Sequence, residues 1–111
     1  MPAAEVDRVF RALSDATRRD IVERVLIGEQ SVSALAERYA MSFAAVQKHV
    51  AVLERAGLVT KLARGRERMV RGDLDAIRRV RALLDRYEAL WRARVDRLDA
   101  LLAEENAPEE E

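Results

Sequence analysis

Apolar residues recur along this chain at intervals of three and four almost from its first residues. Val6, Val9, Phe10 and Leu13 make one stripe on a helix over residues 3–13. Ser14 and Asp15 offer capping oxygens for a second helix, whose stripe of Ile21 and Val25, with Val22 and Leu26 beside it, ends near Gly28. Ser31 is placed to cap a short third helix carrying Val32, Leu35, Ala36 and Tyr39, which should end by Ala40. After a turn of two or three residues, Ser42 caps a fourth helix. Val46, Val50 and Leu53 form its buried stripe, and Gly57 stops it. The pattern then changes. Leu58-Val59-Thr60-Lys61-Leu62, Arg64-Gly65-Arg66 and Arg68-Met69-Val70-Arg71 read as a hairpin around a glycine turn. Asp73 opens a last helix running to about Glu104, with Ile77, Val80, Leu84, Tyr87, Trp91, Val95, Leu98 and Leu102 at helical spacing.

These elements predict a mostly α fold with a small β-hairpin. Two short helices joined by a tight turn and followed by a hairpin have the order of a winged helix-turn-helix, here with a long C-terminal helix suited to dimerisation. Composition agrees, since half of the 111 residues are hydrophobic while only five are aromatic. The length suits one domain, expected over residues 1–104, with an acidic, disordered tail over 105–111.

Twenty basic and twenty acidic residues cancel. Their distribution is uneven, however. Between Met41 and Arg71 seven basic residues face only Glu54 and Glu67, leaving +5, whereas from Asp96 to Glu111 seven acidic residues face only Arg97, leaving −6. The basic patch points to a polyanion. No cysteine is present, which excludes disulfides and thiolate metal sites. No apolar run approaches a membrane span and no N-terminal stretch pairs a basic segment with an apolar one, so a cytoplasmic location without a membrane partner is expected.

A helix that reads DNA needs a buried face to fix its angle, small or hydrogen-bonding residues on the outward face near its N-terminus, and positive charge around it. With Val46, Val50 and Leu53 inward, the outward face over Ser42–Ala56 carries Ala44, Gln47, Lys48, Ala51 and Arg55. Gln47 and Lys48 can address base edges or phosphates, the alanines permit close approach, and Ser42 marks a helix N-terminus where a phosphate is favoured. Arg64, Arg66 and Arg68 around Gly65 would tip a wing able to reach a phosphate or the minor groove.

Several runs resemble the ArsR/SmtB (arsenic-repressor) family of bacterial regulators. They are Phe10 to Ile21 (FRALSDATRRDI), Leu35 to Ser42 (LAERYAMS), Ala45 to Val50 (AVQKHV) and Leu53 to Val59 (LERAGLV), in that order. The resemblance covers about residues 6–71. It implies a homodimeric winged-helix repressor that binds double-stranded DNA at an imperfect palindrome and leaves it when an inducer, unknown here, changes the dimer. The recognition positions it implies are Ser42, Phe43, Ala44, Gln47, Lys48 and His49, with the wing on Arg64 to Arg68. The chain departs from the family at Ala16, where proline is usual, and at Phe43-Ala44, where Gln-Pro is frequent, so a borrowed operator sequence does not transfer. Family members that sense metals use cysteines of the third helix or His and acidic clusters of the terminal helix. Neither set is present, so the chain resembles the metal-independent branch and no cofactor is expected.

The apolar stripe of the last helix exceeds what so short a chain covers, which makes a second copy the economical cover. The expected interface comprises Val6 and Phe10 of the first helix with Leu84, Tyr87, Trp91, Val95 and Leu98 of the last. An enzyme is disfavoured, because there is one histidine, no cysteine, no glycine-rich phosphate loop and no carboxylate pair in an apolar setting. The rival reading is a protein-interaction module that keeps the winged-helix scaffold without binding DNA.

Overall fold

A computed structural model describes residues 2–106. The elements are α1 (Ala3–Leu13), α2 (Ala16–Ile27), β1 (Gln30–Ser31), α3 (Val32–Ala36), α4 (Phe43–Arg55), β2 (Val59–Arg64), β3 (Glu67–Gly72) and α5 (Asp75–Glu105). The chain is mostly helical with a small antiparallel sheet, as the spacing predicts. Residues up to Val80 form one compact unit and those from Arg81 onward a second.

Helix boundaries follow from side-chain caps. Asp15 Oδ1 accepts the Arg18 backbone N–H at 3.0 Å, Ser31 Oγ accepts that of Ala34 at 3.0 Å, and Ser42 Oγ accepts that of Ala45 at 3.1 Å. α4 ends in a Schellman motif: Leu58 N–H donates to the Leu53 carbonyl and Gly57 N–H to that of Glu54, both at 3.0 Å, while Leu53 and Leu58 are both buried. Gly57 takes the left-handed φ of +77° that the motif requires.

The first unit closes around an apolar core with no buried polar side chain among the described residues. α1 gives Val9 and Ala12, α2 gives Ile21, Val22 and Val25, and Val32 and Leu35 come from α3. Val46, Val50 and Leu53 of α4 join Leu58, Val59, Val70, Ala76 and Val80. Leu26, read beside the second stripe, is exposed instead.

Three boundaries differ from expectation. The sheet has three strands in the order β1-β3-β2, because Gln30 and Ser31 pair with Val70 and Met69. A two-residue strand has no periodicity to read. α3 stops at Ala36, where bonding tightens: Arg38 N–H reaches the Leu35 carbonyl at 3.1 Å and Tyr39 N–H that of Ala36 at 3.5 Å. Tyr39 thereby turns towards α2, and residues 37–42, not two or three, connect α3 to α4. At the far end Glu105, placed in the tail by composition, is the last residue of α5, and residues 107–111 of that tail lie outside the described residues.

Over 31 residues α5 is about 46 Å long. Beyond Val80 it carries (i, i+4) ion pairs, Arg92 to Glu88 at 2.8 Å and Arg81 to Asp85 at 3.9 Å. Leu84, Tyr87, Leu90, Trp91, Leu98, Leu101 and Leu102 are all at least half exposed, and Val95 is half-buried. On α1, Phe10 is exposed and Val6 half-buried.

Candidate nucleic-acid interface

The core fixes the angle of α4. Val46, Val50 and Leu53 are fully buried, so the opposite face turns outward, and Ser42, Phe43, Ala44, Gln47 and Lys48 are all exposed. Although Ser42 Oγ accepts the Ala45 N–H, its own O–H remains available to an incoming acceptor.

Two side interactions hold this helix and its neighbours in place. The Arg18 guanidinium at the start of α2 donates to the carbonyls of Ala12 at 2.7 Å and Arg11 at 2.9 Å, closing the end of α1. It also lies 3.4 Å from His49 Nδ1. His49 is therefore half-buried against the α1–α2 corner and not fully presented outward. The Arg18 backbone N–H beside Asp15 holds that carboxyl below its usual range. In the second interaction, Tyr39 Oη donates to Asp20 Oδ2 at 2.6 Å and Arg24 Nε donates to the same oxygen at 2.8 Å. These bonds keep the Asp20 carboxyl below its usual range, Tyr39 being the larger cause. Burial, then the Asp20 bond, pushes the Tyr39 hydroxyl up to about 12. The turn between α3 and α4 is thereby tied to α2.

The wing is β2 and β3 joined by Gly65-Arg66, with Arg64 opposite Glu67. Gly65 has φ +62° and Arg66 does not share a positive φ, the pattern of a type II′ hairpin turn. The three wing arginines differ. Arg64 donates to Glu29 Oε2 at 3.1 Å, so its charge is already partnered. Arg66 and Arg68 are exposed and, among the described residues, have no ion pair. With Val32, Ser33, Phe43, Gln47 and Glu67 they line a groove of about 160 Å3 between α4, the start of α3 and the wing. The structure thus brings Phe43, Gln47, Arg66 and Arg68 together.

Arg55 goes elsewhere. Spacing alone puts it on the outward face, yet it lines a cleft of about 240 Å3 with Arg8 and Arg11 of α1, Val52 and Ala56. Among the described residues no group of three or more His, Asp or Glu is placed to hold a metal ion, and no helix is long and apolar enough to cross a membrane.

Comparison with known proteins bears on this interface. A helix-turn-helix domain family matches residues 13–61, which span α2 to the start of the wing. The HTH-type transcriptional regulator Rv2034 of Mycobacterium tuberculosis is 40% identical over 81 residues, covering 73% of this chain and 76% of that protein. An ArsR-like transcriptional regulator from Rhodococcus sp. RHA1 superposes with a TM-score of 0.78 at 35% identity, covering 88% of this chain and 92% of the other. The chain belongs to the ArsR family of helix-turn-helix transcriptional regulators. The fold of this ArsR-family regulator is also that of a homodimeric winged helix-turn-helix DNA-binding domain from Mycobacterium bovis, at TM-score 0.61 and 23% identity, over 97% of this chain and 86% of that one. The matched relatives are transcriptional regulators, and the matched family is a helix-turn-helix domain.

Proposed function

We propose that this ArsR-family protein is a homodimeric repressor, acting in the cytoplasm, that binds double-stranded DNA at a palindromic operator. The observation that carries the reading is the groove in which Phe43 and Gln47 of α4 meet Arg66 and Arg68 of the wing. A base-reading helix and a backbone-reading hairpin act together only if they face one duplex. In this reading Ser42, Phe43, Ala44, Gln47 and Lys48 approach the major groove, while His49 supports the flank of the helix. Arg66 and Arg68 contact the backbone or the adjacent minor groove, and Arg64 braces the wing through Glu29.

The homodimer is supported by the exposed Leu84, Tyr87, Trp91 and Leu98 on α5, with half-buried Val95 on the same stripe, and by exposed Phe10 and half-buried Val6 on α1. Two recognition helices related by a two-fold axis suit half-sites about 34 Å apart. The test is selection of bound duplexes from a random pool, then titration of the winning site and of the promoter of its own gene. Palindromic winners bound with a steep salt dependence support the repressor, as does reduced transcription from that promoter in a reconstituted assay. Absence of salt-sensitive binding to any duplex would leave the scaffold as a protein-interaction module.

A further inference from the structure

Phe43 is the first residue of α4, and 47% of it is exposed although its side chain is wholly apolar. The helix sets its position, because Ser42 Oγ accepts the Ala45 N–H at 3.1 Å and the Ser42 carbonyl accepts that of Val46 at 3.1 Å. The core built on Val46, Val50 and Leu53 makes no use of it. Phe43 and Gln47 stand about 40° apart around the helix and about 6 Å apart along it, on one flank. Both line the groove that α4 shares with the wing. There Ser33, Arg66, Glu67 and Arg68 supply polar groups, and Val32, the other apolar residue, is itself buried. A half-uncovered phenyl ring thus sits among groups that suit a duplex.

In the major groove the base edges offer hydrogen-bond donors and acceptors and one apolar group, the C5-methyl of thymine. A phenyl ring answers neither donor nor acceptor. Pressed against the amino group of cytosine or O6 of guanine, it would strip away water and return no hydrogen bond, whereas a methyl group gains from the same contact. Ala44, exposed beside it, is small enough to let the ring approach a base.

We propose that Phe43 reads the C5-methyl group of one thymine in each half-site, within one or two base-pair steps of the base that Gln47 addresses. The offset follows from the roughly 6 Å between the two residues and a rise of about 3.4 Å per base pair. This contact rests on the DNA-binding reading above and adds the chemical group that the start of α4 selects. An exposed aromatic can also act as a wedge between base steps. Wedges enter from the minor groove, however, and Phe43 shares its flank with Gln47, whose amide matches the major-groove edge of adenine.

Deoxyuridine pairs with adenine as thymine does and lacks only the methyl group. In the duplex won from the random pool, each thymine would be exchanged for deoxyuridine in turn, at the symmetric positions of both half-sites. Binding by the full chain would be followed by fluorescence anisotropy. One exchange should weaken the wild type about fourfold per half-site, the worth of one buried methyl, and so about fifteenfold in all. Phe43→Ala should bind the thymine duplex more weakly than the wild type does and respond to that exchange by less than about twofold. Phe43→Leu, which keeps an apolar side chain, should retain the response. Both variants should keep the wild-type salt slope, because no cation is lost.

The contact is overturned, with DNA binding left in place, by selected half-sites that contain no thymine. The same holds if no exchange weakens the wild type by more than about twofold. An exchange that weakens Phe43→Ala as much as the wild type would give the methyl to another side chain. A wild type that binds no duplex in a salt-sensitive manner would remove the DNA-binding reading itself, and this contact with it.

Discussion

Replacing Arg66 with alanine removes one cation from the tip of the wing without touching the core or any hydrogen bond of the hairpin ladder. Among the described residues Arg66 has no ion pair, and it shares a groove with Gln47 and Phe43 of α4. If it neutralises one phosphate per protomer, a dimer loses two such contacts. Each contact contributes about 0.9 to the slope of log affinity against log salt, so the variant should be shallower by about 1.8. Between about 50 and 200 mM salt, that difference makes the defect roughly tenfold larger at the lower concentration than at the higher. Fluorescence anisotropy on a labelled duplex over this range measures it directly. Arg64→Ala is the control: Arg64 already donates to Glu29 at 3.1 Å, so its removal should change the slope less. An unchanged slope in Arg66→Ala, or equal changes in the two variants, would refute the division of labour assigned to the wing.

Gln47→Ala should leave the salt slope intact and relax sequence preference at one position of each half-site, by about 1–3 kcal/mol of lost discrimination, as read by repeated selection from the random pool. Tyr39→Phe removes the larger of the two bonds that hold the Asp20 carboxyl low. A depressed carboxyl stabilises the fold fully above its unfolded value of 3.8 and loses that contribution as pH falls through the folded value. The variant's acid unfolding midpoint, followed by circular dichroism, should therefore move to higher pH, and an unmoved midpoint would remove Asp20 from the account. Gly57→Ala should cost about 1 kcal/mol in urea unfolding. The added Cβ would meet only Ala76 Cβ at 3.8 Å, so the cost is the left-handed φ and not a clash.

What could be read from sequence was what repeats. The stripes of α1, α2 and α4 followed from helical spacing, and each of Asp15, Ser31 and Ser42 caps the helix that spacing assigned to it. Gly57 and Gly65 were legible because both sit where the backbone needs a positive φ. Partnerships across long sequence separations were not. Tyr39 lies on the face that periodicity gives it, but α3 ends before it because its hydroxyl reaches Asp20, nineteen residues away. Arg64 looked equivalent to Arg66 and Arg68 until Glu29, thirty-five positions earlier, proved to be its partner. Arg55 satisfied the outward angle of α4 but sits at its last turn, where α1 rather than open space is adjacent. In each case the residue's place on its own element was known and the neighbouring element was not.

That limit bears on how recognition and dimerisation depend on each other. One protomer presents few groups capable of discriminating bases, chiefly Gln47 with the apolar Phe43 and Ala44, beside the exposed cations Lys48, Arg66 and Arg68, which have no ion pair among the described residues. A single copy of such a surface would stay near the weak, sequence-independent regime in which phosphate contacts dominate. Presenting it twice at a fixed spacing makes the second contact intramolecular, so the small preferences of the two half-sites multiply. The residues that would supply that spacing lie after Val80, outside the core that shapes the recognition helix. Substitutions along Leu84 to Leu98 should therefore weaken discrimination between sequences without altering which bases a half-site prefers, whereas changes at Gln47 should do the reverse.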